Sequence, residues 1–322
     1  MPSPGPGADA GPTRLVEQVA RIEHDLATRL HAVSAAAARV RTDDDDEAVH
    51  DLRVALRRLD AALQIWRDLL RPRATRRARR SLRTLRRALG PIRELEVNQA
   101  QLVTLAHGLA TSSRMVVESL WIRLRRRLRR GRQRAVRNAR PKVLSGLERR
   151  VMRAARIAQG RLQAFPEPRE LARRRIATAR DAALQAIRPA IEGSDDVRLH
   201  AARVAVKKWR YVIESAQPVF GAIAPLKPLR ELQRALGAVH DLAMLRELLE
   251  RRAVKLRNVG LERHGAALTP VIERIDRDHS RAVVQVREAA GNEMFSSWRP
   301  AVAEPEVRDD PAPAPESAPE TG

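Results

Sequence analysis

The sequence predicts an all-α protein, on three observations. Apolar residues make up 43% of the 322-residue chain but aromatics only 2%. The core must therefore be built from Leu, Ala, Val and Ile, and Ala and Leu favour helices. Helix-like stretches follow one another between Pro, Gly and Asp breaks, and no alternating strand pattern competes with them.

Taken in order, residues 1–12 (MPSPGPGADAGP) form an expected disordered tail. The helical region then breaks near Thr42 to Asp46, Arg71-Pro72, Pro91, Gly108, Arg140-Pro141 and Pro166 to Pro168. Further breaks fall at Gly193-Ser194, Gln217-Pro218, Pro225 to Pro228 and Gly291. Pro91 lies inside an otherwise helical pattern, which predicts a kink or a break between two helices. Residues 301–322, Pro-rich and acidic, form a second expected disordered tail. The folded region is thus expected at 13–300, with a first helical unit at about 13–150 and a second at about 165–298.

The chain carries 62 Lys plus Arg against 39 Asp plus Glu, a net charge of +23, and only five of the bases are Lys. Six acids and one base lie in 301–322 and Asp9 lies in the first tail, so residues 13–300 carry +29. An excess of guanidinium, which forks onto phosphate oxygens, points to an anionic partner. Cysteine is absent, which excludes disulfides, thiolate metal sites and thiol nucleophiles. No apolar run is long enough to span a membrane and no signal-peptide pattern opens the sequence, so the cytoplasm is the expected compartment.

The most informative feature is an internal repeat. Val49-His50-Asp51-Leu52-Arg53-Val54-Ala55-Leu56-Arg57-Arg58-Leu59 aligns with Leu199-His200-Ala201-Ala202-Arg203-Val204-Ala205-Val206-Lys207-Lys208-Trp209 at an offset of 150. A second block, at an offset of 147, aligns Leu89-Gly90-Pro91-Ile92-Arg93-Glu94-Leu95 with Leu236-Gly237-Ala238-Val239-His240-Asp241-Leu242.

At about 100° per residue, Arg53 and Arg57 fall within about 60° of His50, while Leu52, Ala55, Leu56, Leu59, Ala62, Leu63 and Trp66 fall on the opposite face. In the second copy His200, Arg203, Lys207 and Arg210 share a stripe, with Tyr211 beside it and Ala202, Ala205, Val206, Trp209, Val212 and Ile213 opposite. Each repeat thus pairs a core face with a basic one. Solvated helix faces usually mix signs; these stripes carry bases only and begin at a histidine.

The second block adds Arg83, Arg86, Arg87 and Arg93, then Arg230, Arg234 and His240. Glu94 and Asp241 beside them read as orienting salt-bridge partners, and Gly90 and Gly237 as places of close helix approach or bending. A run of arginines from Arg123 to Arg140 surrounds its helix on several sides and reads as a solvated face or an outer electrostatic collar. The histidines could act as metal ligands, general bases or phosphate donors. Asp43 to Glu47 before His50 fits helix-start capping better than a metal site, because the second copy offers only Asp195-Asp196. No cofactor, metal or catalytic residue is expected.

These blocks resemble the CHAD domain, the conserved-histidine α-helical domain, with its duplicated His-x-x-Arg-x-x-x-Arg/Lys-Arg/Lys and Leu-Gly-x-x-Arg/His-Asp motifs. Here Glu94 replaces the usual Asp. The resemblance covers about residues 14–298. It implies two four-helix bundles related by an internal pseudo-twofold around a basic central cavity that binds inorganic polyphosphate, and association with polyphosphate granules. The expected function is non-catalytic polyphosphate binding through His50, Arg53, Arg57, Arg58, His200, Arg203, Lys207, Lys208 and Arg210. The same charge leaves nonspecific nucleic-acid binding open, although aromatics for base stacking are scarce. The pairs His50-Asp51 and His240-Asp241 superficially resemble a metal-dependent phosphohydrolase, but the acid is not kept where Ala201 follows His200.

Overall fold

A computed structural model describes residues 10–42, 46–156, 167–193, 195–221, 223–224 and 226–291. Ten helices and no strand occur among them: α1 (Ala10–Thr42), α2 (Asp46–Ile65), α3 (Pro72–Ala106), α4 (Thr111–Asn138), α5 (Pro141–Ala155), α6 (Pro168–Gly193), α7 (Asp196–Phe220), α8 (Lys227–Arg257), α9 (Glu262–Ala266) and α10 (Thr269–Ala290). None is long and apolar enough to cross a membrane. Of the expected tails at 1–12 and 301–322, residues 1–9 and 301–322 lie outside the described residues, as do Asp43 to Asp45, whereas residues 10–12 belong to the start of α1 rather than to a tail.

Proline starts α3, α5 and α8 within their first two positions, where its missing N–H costs nothing and its φ suits a helix. Asp195 caps α7 by accepting the Arg198 backbone N–H at 2.9 Å. Two expected breaks move. Helix α3 runs unbroken through Pro91, and α7 continues past Pro218 to Phe220. It ends at Gly221, whose φ of 78° an L side chain rarely adopts. Gly237 faces open space and a Cβ on Gly90 would meet Arg53 only at 3.9 Å, an ordinary contact, so close packing requires neither glycine.

Helices pack in the same order in both halves. α1 lies on α2, α2 on α3 and α3 on α4; α6 lies on α7, α7 on α8 and α8 on α10. The halves meet where α2 packs on α7 and α3 on α8. Buried apolar residues form two clusters, each drawing on both halves. The larger joins α1, α2, α5, α6 and α7 to the first parts of α3 and α8. The smaller holds the far ends of α3 and α8 with the start of α4 and of α10. Trp66 and Trp209, on the apolar faces read from the sequence, are both fully buried, and Trp66 meets Phe220 edge-on at 6.0 Å. Because their faces are sealed, the opposite faces of α2 and α7 are left to carry charge.

Trp209→Ala should cost about 3–5 kcal/mol of stability, as large-to-small changes in closed cores do. Gly237→Ala should gain about 0.5–1 kcal/mol from helix propensity. Urea unfolding followed by circular dichroism measures both.

Candidate functional site

A cleft of about 830 Å³ opens between α2, α3 and α7. Its walls carry Arg53 and Arg57 from α2, Arg79, Arg83, Arg86 and Arg87 from α3, and Lys207, Lys208 and Tyr211 from α7. The one acid among the lining residues is Asp60. It accepts from both Arg79 Nε and Arg86 Nη1 at 2.9 Å, locking two guanidiniums in place. Across the cleft Arg57 Nη1 donates to the Tyr211 hydroxyl at 3.2 Å, while the Arg210 guanidinium stacks 4.6 Å from the ring centroid. Tyr211 is therefore a buried brace between the halves.

Arg53 extends under the cleft and donates Nη1 to the Leu89 carbonyl at 2.6 Å. Arg203, its counterpart in the repeat, faces Asp241 at 3.8 Å. In both residues Nε is buried without a hydrogen-bond partner. Arg93 pairs with Glu96 at 3.9 Å, and Glu96 also faces Arg132 of α4 at 3.7 Å. The sequence pointed to Glu94, but neighbours in sequence diverge by about 100°, whereas a residue three places on shares the face. Asp241 does serve as an orienting partner, for Arg203 rather than for the adjacent His240.

His50 is half-buried, and burial first, then the charge of Arg93 in the second repeated block, lowers its proton affinity; His200 lies against His240 with ring centroids 4.9 Å apart and Nδ1 atoms at 3.4 Å. His200 and His240 line a separate pocket of about 460 Å³ whose other walls include Asp196, Arg246, Glu247 and Glu250. They flank the basic cleft without lining it. Arg58 and Arg234 are solvent-exposed and outside the cleft walls. Arg210 and Arg230 both turn to Glu214, at 2.8 and 3.9 Å. Most of the α4 arginine run is exposed, with Arg132 turned inward.

Sequence reading missed Arg79 and Asp60. Arg79 is four residues before Arg83 and seven before Arg86, so helical spacing alone places it on their face. Asp60 gave no such sign, because its partners lie on another helix. Among the described residues no three His, Asp or Glu side chains converge as metal ligands. Asp51 beside His50 is held by Arg39 at 2.5 Å.

Crowded bases shift each other's protonation. Burial, then the charge of Arg57, pushes the Arg53 guanidinium down to about 10. Burial, then the charges of Arg203 and Arg57, pushes the Lys207 ammonium down to about 7. Burial and the neighbouring Arg203 and His200 bring His240 down to about 4, and burial with Arg93 lowers His50. Burial also raises Asp241, against the pull of Arg203. Conditions near neutrality therefore leave Lys207 partly uncharged.

The unfolded chain holds the Lys207 proton up to about 10.5, while the folded protein releases it near 7. The unfolded state binds more protons across that window, so stability rises with pH there. Urea midpoints at pH 7.5 and 9.5 should show this rise, and Lys207→Met should flatten it.

The CHAD domain family model matches residues 24–250. No curated protein matches the sequence. Among solved structures, the CHAD domain from the plant Ricinus communis is similar at 17% identity with a TM-score of 0.61, covering 88% of this chain and 93% of that one. PptA from Streptomyces chartreusis is similar at 17% identity with a TM-score of 0.56, covering 83% and 98%. At that identity the two structures speak for the fold alone; the family model covers both copies of the repeated blocks and every wall of the basic cleft, and the chain belongs to the CHAD domain family.

Proposed function

We propose that the protein binds inorganic polyphosphate in the cleft between α2, α3 and α7 without transforming it. The observation that carries this reading is the wall composition: eight Arg and Lys side chains from three helices face one opening against a single carboxylate, Asp60. Charge-assisted hydrogen bonds from guanidinium to phosphate oxygens are the strong kind. A cleft lined by donors from three helices suits a chain of repeating anions. Family membership supports the same ligand, and association with polyphosphate granules follows from it as a further expectation.

Two features speak against the alternatives. The one aromatic in the wall, Tyr211, is buried, with its ring under Arg210 and its hydroxyl on Arg57, so it offers no face for base stacking. The acids near the cleft, Asp60, Asp241, Glu96 and Glu214, each face an arginine at 2.8–3.9 Å and act as braces.

Arg83, Arg87 and Lys208 are exposed wall residues, so changing all three to Gln should leave the fold intact. Long-chain polyphosphate affinity should drop at least about tenfold, and the slope of log affinity on log salt should become shallower by about 2, at roughly 0.7 per lost contact on a flexible strand. Duplex DNA at equal phosphate concentration serves as the comparison. Unchanged polyphosphate binding would overturn the proposal, and equal losses for both ligands would make the cleft a general polyanion site.

Ligand charge beside Lys207 should return its proton. Calorimetry of polyphosphate binding at pH 8 in two buffers of different ionisation enthalpy should show net proton uptake. In Lys207→Met that uptake should shrink.

A further inference from the structure

The first turns of α3 meet α5 around a pocket of about 350 Å³, within the size range of ligand sites. Six arginines line it: Arg71, Arg73 and Arg77 at the start of α3, and Arg149, Arg150 and Arg153 on α5. None of these six arginines lies in the repeated sequence blocks. Arg71 is anchored on the Arg156 carbonyl at 2.9 Å and Arg150 reaches the Ser81 hydroxyl at 3.3 Å. All six are exposed.

No carboxylate pairs with any of the six among the described residues. Glu148, the one acid of α5, is not in the lining. The stretch 157–166 that follows α5 contains no acid either. Other exposed arginines, such as Arg114, Arg174, Arg246 and Arg281, have a carboxylate about one turn away, whereas the six at this pocket converge from two helices without one. Six guanidiniums converging on one concavity repel each other unless an anion joins them. The floor includes Gly146, where even a Cβ would come within 3.3 Å of Arg150 Nη1, so a side chain there would fill the space the arginines surround.

We propose that this arginine pocket is a second phosphate-binding site, and that a phosphate chain of sufficient length occupies it and the central cleft together. Arg76 and Arg80, both exposed, lie on α3 between the two sets. At about 100° per residue Arg73, Arg77, Arg80, Arg76, Arg87 and Arg83 form one angular band around the helix, and the fourteen residues from Arg73 to Arg87 rise about 21 Å. A chain held at one end meets the other site at high effective concentration, so length adds affinity without new contacts. The second half of the proposal rests on the cleft being a phosphate site; the pocket itself does not.

Calorimetric titration of the full chain with tripolyphosphate and with long-chain polyphosphate tests both parts. Three variants are compared: Arg73, Arg77, Arg149 and Arg153 all to Gln; Gly146→Leu, which keeps every charge; and the cleft variant with Arg83, Arg87 and Lys208 to Gln. Tripolyphosphate should occupy two sites in the wild type and one in the pocket variants. Long-chain affinity should fall tenfold or more in both pocket variants, while the remaining tripolyphosphate site keeps its affinity. Unchanged stoichiometry and long-chain affinity in the four-arginine variant would overturn the pocket. Loss in that variant but none in Gly146→Leu would overturn it as a built site and leave a diffuse field. A cleft variant that changes nothing while the pocket variants lose their site would sink the cleft reading and the two-site chain, with the pocket standing.

Discussion

Everything at the centre of this protein depends on holding like charges together where two helices meet. α2 and α7 bury Leu and Trp on one side and face each other with Arg53, Arg57, Arg203 and Lys207 on the other. The apolar side sets the distance, since Leu56, Trp66, Val206 and Trp209 are fully enclosed and cannot yield without opening a cavity. The bases then stand in a partly dry seam, and the lowered proton affinities of Arg53, Arg203 and Lys207 register the strain. The core thus pays for a charged surface that would not assemble alone.

Much of this was legible in the sequence because it is local. The 3.6-residue period separates core from basic face on α2 and α7, and the repeat shows that both faces occur twice. Helix starts at Pro72, Pro141 and Pro168 carry their own chemical marks. No break falls at Pro91, because a proline forbids only one hydrogen bond and packing around α3 outweighs that local loss, while the break near Gln217-Pro218 falls three residues on, at Gly221. The short α9 and the turn at Gly260, with φ of 75°, had no proline to announce them.

Within the candidate site, the bases were readable and their partners were not. Arg53, Arg57, Lys207 and Lys208 follow from spacing on one helix. Asp60 acts through Arg79 and Arg86 on another helix, where no periodicity links them; Glu96 and Glu214 lie three and four places from Arg93 and Arg210, but their contacts to Arg132 and Arg230 cross between helices. The separation of His200 and His240 from the cleft has the same origin: their stripe points toward α8, where His240 meets it, and only the crossing of α7 on α2 decides which positions reach the opening. The arginine pocket escaped because its two walls come from segments about 75 residues apart.

The acids that remain in so basic a protein are best understood as the cost of order. A guanidinium on a free side chain gives up about 2 kcal/mol of rotamer entropy when a ligand fixes it. Asp60 fixes Arg79 and Arg86 beforehand, and Tyr211 fixes Arg57 and Arg210, each at the expense of a charge or of a polar contact a ligand could have used. Arg83, Arg87 and Lys208, exposed in the wall, have no such brace there and on the proposed reading meet the incoming anion first. Attraction from a distance and rigid reception inside therefore fall to different residues. On the same reading, the braced inner set decides how a bound chain lies, while the unbraced outer set decides how strongly salt competes with it.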